Sequence, residues 1–438
     1  MAQILPFRAW RYAEHLPIEN LISPLFDVVS EKQIKALYAE PYNSIHLSVP
    51  AYGVSYQQIA ELQETWKKQG ILVQDHLPAI YVYYQYFFLP NSKEHFCRKG
   101  FLAMIKASDW HEKQVLRHEN TLPHSVNDRT ELLRATQMNI APTHGLYTDP
   151  QFRLEPLMDE AMKQPLYETE DYQGVRDVFA LIQDVKAIET FMQVIAESKV
   201  ILADGHHRYT GSLEYRKEQM KKNPNHSGKE SYNFHLMYLT NSEANDLRIL
   251  PTHRLITQLN NFDEQNLIDK LHQYFDIKPV IEPETLEEVI AGKKWTFGLV
   301  TKNLSCKIRL REEVFGQMSW HFPEVVKKLD LTVLHYFMIY KVLGISKEEQ
   351  LRGEHIQFVR SLHECLEKVE KDEAQIALIT QGVSIGEVKE VCQSGYTMPQ
   401  KSTYFYPKAI CGFAFASIKE EENNNLADQY FRTLLREN

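Results

Sequence analysis

Disulfide and metal-clip chemistry has little to work with in this chain of 438 residues. Its five cysteines, Cys97, Cys306, Cys365, Cys392 and Cys411, are odd in number and widely spaced, and they form no C-x-x-C pair. A reducing, cytoplasmic setting fits that usage. The start, MAQILPFRAWRY, lacks an apolar segment behind a basic one, and the longest apolar run, Ala79 to Pro90, is too short and too aromatic to span a bilayer. It reads as a buried strand. No excess of positive charge is available either: 49 basic against 58 acidic residues give a net charge of −9, so no broad electrostatic footprint for nucleic acid or an anionic membrane exists. No internal repeat is found.

Several catalytic signatures are missing as well. Neither G-x-x-x-x-G-K-[ST] nor G-x-G-x-x-G occurs, which argues against a P-loop NTPase and a Rossmann dehydrogenase. Gly382 to Gly386 matches G-x-S-x-G, but no histidine follows Ser384, as a hydrolase triad on that elbow requires. Ser384 with Glu387 three residues on is instead a capping box. Despite 18 histidines there is no H-E-x-x-H, and His206 and His207, being adjacent, diverge by about 100° on a helix.

What is present is the composition of a globular protein, 43% hydrophobic and 24% charged, long enough for two domains. Helical spacing covers Ser55 to Lys68 and Asn127 to Thr136, and strand-like runs include Lys99 to Trp110 and Phe234 to Thr240. The polar stretch Lys217 to Ser231 reads as an exposed loop. In the second half, 266–280 and 284–301 read as helix then strand, 324–344 as helical, Glu373 to Thr380 as a strand followed by a helix to about Ser394, and 402–418 as β-rich. The expectation is α/β, in mixed α+β order: an N-terminal domain over 1–250, a second α/β domain over 251–418, and a helical acidic tail over 419–438.

One stretch concentrates chemistry. In KVILADGHHRYTGSLEYR, Val200 to Ala203 read as a buried strand and a helical pattern begins at His206. His206, His207 and Arg208 therefore fall in a helix's first turn, where the dipole disfavours cations unless an anion shares the site. A bound phosphate or carboxylate answers that placement. The plainer reading makes Asp204 the N-cap and Gly205 a turn residue. Four further segments group polar side chains: Arg117, His118, Glu119, Asn120, Asp128 and Arg129; Thr252, His253 and Arg254; Gln400, Lys401, Ser402, Thr403 and Lys408; Tyr42, Asn43 and His46. Singly each suits a solvated turn. Together they offer the cations, helix-start N–H groups and carboxylates that phosphoryl transfer uses.

The segment ADGHHRY resembles the phosphate-binding strand-turn-helix of the ParB/sulfiredoxin superfamily, most closely its free-serine kinase branch, where D-G-H-H-R lines a nucleotide phosphate site. The remainder resembles the bacterial family called domain of unknown function 1015, through PFRAWRY, PYNSIHL, GILVQDHLPAIYVYYQ, RHENT with NDR, LPTHR and MPQKSTYFYPK. Sulfiredoxins carry a cysteine where His206 stands, and ParB-type proteins attach a helix-turn-helix, for which no basic recognition helix is evident here. Where the family start continues as A-P-P-Y-D-V, this chain reads SPLFDVVS, with Leu25 and Phe26 in place of Pro-Tyr, so no substrate role carries over to Asp27.

The resemblance implies a ParB/sulfiredoxin-like nucleotide-binding core and phosphoryl transfer between a nucleotide, ATP or ADP, and a small hydroxy-amino acid, free serine or phosphoserine, with Mg²⁺. Asp204, His206 and His207 would be catalytic, with Asp204 holding the metal. Gly205, Arg208, Arg129, His118, Glu119, Lys401, Ser402, Thr403, His253 and Arg254 would face the nucleotide or its phosphates. A phosphoserine or nucleotide phosphohydrolase and a non-catalytic nucleotide sensor are the alternatives. The partners implied are small molecules, with neither nucleic acid nor membrane.

Overall fold

The computed structural model describes residues 1–26, 28–89, 94–171 and 173–423. Asp27 and the tail from 424 onward, where a helix is expected, lie outside the described residues. The chain divides into two compact units: one of Met1–Leu116, Thr121–Leu247 and the segment from Pro407 onward, and one of Arg117–Asn120 with Arg248–Tyr406.

The first unit is built on a nine-stranded sheet. Its strands are β1 (Ile4–Leu5), β2 (Ile80–Phe88), β3 (His95–Lys106), β4 (Val115–Arg117), β5 (Thr143–Tyr147), β6 (Tyr167–Glu170), β7 (Arg176–Ile182), β8 (Val200–Asp204) and β9 (Phe234–Asn241), in the order β4-β8-β5-β9-β3-β2-β7-β6, with β1 on β3. β5 and β9 pair in parallel, whereas β1–β3, β2–β3, β2–β7, β6–β7, β5–β8 and β3–β9 are antiparallel. β2, IYVYYQYFF, is buried on both faces through Gln85, as its apolar and aromatic run requires of a central strand. Tyr81 stacks on Phe179 at 5.7 Å, and Phe179 on Phe413 at 5.1 Å, so the returning C-terminal segment supplies part of this core. Each such ring stabilises the unit by about 1.5–3 kcal/mol on burial.

Four helices matter for the site: α1 (Tyr56–Lys68), α2 (Pro123–Thr136), α3 (Val185–Ala196) and α4 (His206–Lys222). Ser55 and Gln58 close a capping box on α1, and Asp184 caps α3. α4 runs through Lys222, so the loop expected from Lys217 begins only at Asn223-Pro224. Lys217, Glu218, Gln219, Met220, Lys221 and Lys222 are good helix formers, and their polarity marked exposure, not irregular backbone. At Gly211, α4 passes so near α2 that an added Cβ would stand 3.2 Å from Thr130 Oγ1.

The second unit holds a six-stranded antiparallel sheet of β10 (His253–Ile256), β11 (Phe275–Pro279), β12 (Thr296–Val300), β13 (Ser305–Leu310), β14 (Ile356–Val359) and β15 (Ile376–Ile379), ordered β11-β13-β12-β15-β10-β14. The helical stretch after Pro323 breaks at Lys328-Leu329 and ends as a buried π-helix, Leu334–Val342. Ser384 caps α5 (Ile385–Ser394), with the Glu387 N–H donating to its hydroxyl at 3.2 Å and Glu387 accepting from its N–H at 2.8 Å. The β-rich finish is sparser than expected: ladders cover only Tyr404–Tyr406 and Ala416–Ser417. Between them Pro407 lacks an N–H and Gly412 adopts a φ of 114°, which leaves isolated bridges at Cys411 and Phe415. The fold is mixed α/β. Among the described residues no helix is long and apolar enough to cross a membrane, and all five cysteines are free.

Candidate functional site

β8 and α4 form a strand-turn-helix. A register shift between Leu202 and Asp204 opposite β5 ends the strand, and Gly205 at a φ of 87° turns the chain into α4. A side chain is excluded there, since a Cβ would lie 2.6 Å from Thr143 Cγ2. The helix cap is Gly205, with no side-chain bond, so the N-cap reading of Asp204 is overturned: Asp204 is the last residue of the strand. Its carboxylate instead accepts from Lys408 Nζ through Oδ1 and from Arg208 Nη2 at 2.9 Å through Oδ2.

Burial pushes the Asp204 carboxyl upward, but Lys408 and Arg208 outweigh it and hold the group well below the usual carboxylate range. A carboxylate so firmly ionised makes a poor proton acceptor near neutral pH. The donor set does not suit Mg²⁺ either. Mg²⁺ wants an octahedron of oxygens with several waters, whereas each Asp204 oxygen already meets a cation. Among the described residues the one cluster of three possible ligand side chains is Glu349, Glu354 and His355, elsewhere in the chain. Asp204 is thereby revised from a metal ligand to a charge that positions Lys408 and Arg208.

The neighbouring predicted residues divide in role. Arg208 donates through Nη1 to Pro142 O. His207 Nε2 accepts the Leu122 N–H at 3.0 Å and so ties down the start of α2, while His206 is buried. Arg129 donates to Asp128 Oδ2 at 2.6 Å and to Ser48 O at 2.8 Å, and its guanidinium lies 4.3 Å from the Phe26 ring centroid. Arg129 and Arg208 line one cavity of about 40 Å³. Thus Arg129, distant in sequence, is gathered in the first unit with Asp204, Gly205 and Arg208.

The other predicted residues assemble in the second unit. Glu119 Oε1 accepts from the Ser402 N–H at 3.1 Å and the Thr403 N–H at 3.4 Å, and Thr403 Oγ1 lies 2.7 Å from His118 Nε2. The Lys401-Ser402-Thr403 turn does make an anion-binding concavity, but the chain's own carboxylate fills it. Lys401 is exposed at a φ of 54°. Arg254 is fully buried, bonded to Thr252 O, set 5.4 Å from the Phe358 ring and pushed down to about 9 by desolvation. His253 accepts the Thr380 N–H at 3.2 Å and meets Glu287 at 3.2 Å. Asn43 and His46 likewise bond backbone, at Asn20, Ile22 and Glu40.

Sequence reasoning passed over a polar row across the first unit's sheet. Register sets Asp177 beside Gln85 and Gln85 beside Arg98, and farther along Tyr238 beside His144 and His144 beside Asp204. Tyr83 donates to Asp177 Oδ1 at 2.5 Å and Gln85 at 2.9 Å, and burial pushes the Asp177 carboxyl up to about 7. Burial, aided by Arg98, holds the His144 imidazole well below its ordinary value, hence neutral. No local spacing announces this row, because its members come from six strands.

The family model described as protein of unknown function, DUF1015, matches residues 4–332, and the chain belongs to that family. Comparison with the curated proteins gives no match. Among solved structures, a conserved hypothetical protein from Pyrococcus furiosus is 12% identical, over 74% of this chain and 97% of that one, with a TM-score of 0.34. A free serine kinase in complex with AMP is 13% identical over 77% and 97%, at a TM-score of 0.36. SbnI with a C-terminal truncation, from Staphylococcus aureus, is 11% identical over 77% and 96%, at 0.35. Similarity this low transfers no activity.

Proposed function

We propose that the chain is a nucleotide-dependent phosphotransferase acting on a small hydroxy-amino acid, free serine or phosphoserine, with the β8–Gly205–α4 turn holding nucleotide phosphate. One observation carries the reading: Gly205 opens directly onto the first turn of a 17-residue helix, with Arg208 and Lys408 held side by side on Asp204. The N–H groups of a helix's first turn lack intrahelical partners and favour an anion. Arg208 and Lys408 would share their remaining donors with phosphate oxygens, and fixed cations of this kind stabilise the charge of a transferring phosphoryl group. Asp204 keeps them in place. The resemblance of DGHHR to the free-serine kinase branch supplies the nucleotide, ATP or ADP, and the acceptor class. Mg²⁺ would arrive on the nucleotide's own phosphates. A cytoplasmic setting agrees with five free thiols.

A second reading, a nucleotide sensor without turnover, draws on the ionised, doubly paired Asp204, which is a poor proton acceptor for a substrate hydroxyl. Incubation with ATP or ADP and L-serine, followed by ³¹P NMR, separates the readings: phosphoserine marks transfer, inorganic phosphate alone marks hydrolysis, and binding without either marks sensing. Arg208→Ala should weaken nucleotide binding by about 1.5–3 kcal/mol, the worth of charge-assisted hydrogen bonds. Absence of nucleotide binding by the wild-type protein refutes the proposal.

A further inference from the structure

The cavity between α2 and α4 shares Arg208 with the turn that opens α4, but most of its lining lies outside that turn. It is lined on one side by Arg129, Arg208 and Asn139 and on the other by Phe26, Leu132, Leu133, Met138, Ile140 and Ala141. Two guanidinium groups, each only 8% exposed, thus share a small space. Among the described residues, two buried donors on its wall have no partner: the Nε–H of Arg208 and the side-chain amide of Asn139, a residue 5% exposed. Leaving a buried donor unmade is costly, and groups of this kind in a native fold point to a ligand or an ordered water.

The charges leave room for an anion. Arg129 is opposed by Asp128, which is 37% exposed and so screened by solvent. Arg208 shares Asp204 with Lys408. His235, on the same wall, adds no charge, since burial and the neighbouring Arg208 hold its imidazole down to about 3. Its ring is fixed between Ser212 Oγ at 2.7 Å and Thr143 Oγ1 at 3.0 Å. At about 40 Å³ the space accepts roughly three water-sized bodies, since each needs about 10–15 Å³. That is the size of a carboxylate group and too small for a nucleotide. Its apolar wall suits a short carbon stem.

We propose that this cavity is a carboxylate-binding site, taking a small monocarboxylate or the α-carboxylate of a small amino acid between Arg129 and Arg208, with Asn139 donating to one oxygen. Arg208 then faces two anions, Asp204 on one side and the carboxylate on the other. In the amino-acid form the site deepens the phosphotransferase reading, by holding the acceptor's carboxylate; in the simple-acid form it stands without it.

The test is calorimetric titration of the full-length protein with acetate, propionate, L-serine and L-alanine, and with acetamide and L-serinamide as neutral counterparts. The acids should bind and the amides should not. Arg129→Gln should weaken the acids by roughly tenfold or more, as removing a charge-assisted contact does, and Ala141→Val, which narrows the cavity without touching a charge, should weaken them by filling the space the carboxylate needs. Ala141→Val should keep wild-type affinity for ADP. Binding by the two simple acids but neither amino acid assigns the site to monocarboxylates; binding by the amino acids assigns it to the acceptor. If no acid binds the wild type, or if acids bind with unchanged affinity in both variants, the proposal is overturned. Acid binding without any phosphoserine formation leaves this site standing and removes the phosphotransferase reading alone.

Discussion

Asp204→Asn keeps the shape of the side chain and removes the one negative charge that Lys408 and Arg208 share. All three side chains are nearly buried, at 13%, 12% and 8% exposure. Removing one partner of a buried ion pair costs about 3–5 kcal/mol, because the charge left behind is uncompensated. Arg208 retains Pro142 O as an acceptor, which favours the lower figure. At about 2–4 °C per kcal/mol for a body of this size, 3 kcal/mol is a fall of roughly 6–12 °C in the melting temperature of the first unit. The pH dependence follows from the same charges. Burial acts upward on the Asp204 carboxyl, but Lys408 and Arg208 bring its folded pKa below the unfolded value of about 3.9. A depressed carboxyl contributes its stability above the unfolded pKa and loses it as pH falls through the folded one. The gap between wild type and Asp204→Asn should therefore stay constant from about pH 8 to about pH 5 and narrow progressively below about pH 4, as pH falls toward the depressed folded value. Scanning calorimetry across that range reads it directly. Adding Lys408→Met should restore part of the loss, since the second cation no longer lies unpaired. Equal melting temperatures at neutral pH, or a gap that does not narrow in acid, would refute the reasoning.

Asp177→Asn addresses a carboxyl shifted the other way: because its folded pKa is about 7, the wild-type first unit should lose stability as pH rises from about 4 to about 7, and the variant should not. Urea titrations at both ends of that window check this. Gly205→Ala forces a Cβ to 2.6 Å from Thr143 and a φ of 87° on a residue that resists it, so it should destabilise the unit by at least about 1 kcal/mol and weaken nucleotide binding by displacing Arg208. Ser384→Ala should cost about 1 kcal/mol as a lost N-cap and leave nucleotide binding untouched. A loss of nucleotide affinity at normal stability would show that Ser384 does chemistry.

The local grammar of the chain was readable before any coordinates. Ser55 with Gln58 and Ser384 with Glu387 announce helix starts, and Val200 to Ala203 followed by Asp-Gly announces a strand running into a turn. These features depend on residues within one or two turns of each other, where propensity, capping and periodicity act. The exceptions were places where polarity stood in for structure. Lys217 to Lys222 is polar because it is the exposed end of a helix, and the aromatic run after Ser402 is apolar because it fills a core, not because it continues a ladder.

The site divides along the same line. The sequence by itself determined that Gly205, His206, His207 and Arg208 stand at a helix start behind a strand, since their order in the chain dictates it. Only the tertiary structure decided what each one faces. Lys408 meets Asp204 across 204 positions, Glu119 reaches the N–H groups of Ser402 and Thr403 across more than 280, and Arg129 and Arg208 share a cavity because Gly211 lets their two helices close up. Coulomb attraction and desolvation act on distances in space, and a residue's charge acquires its role from whichever partner the sheet order and helix packing bring within reach of it.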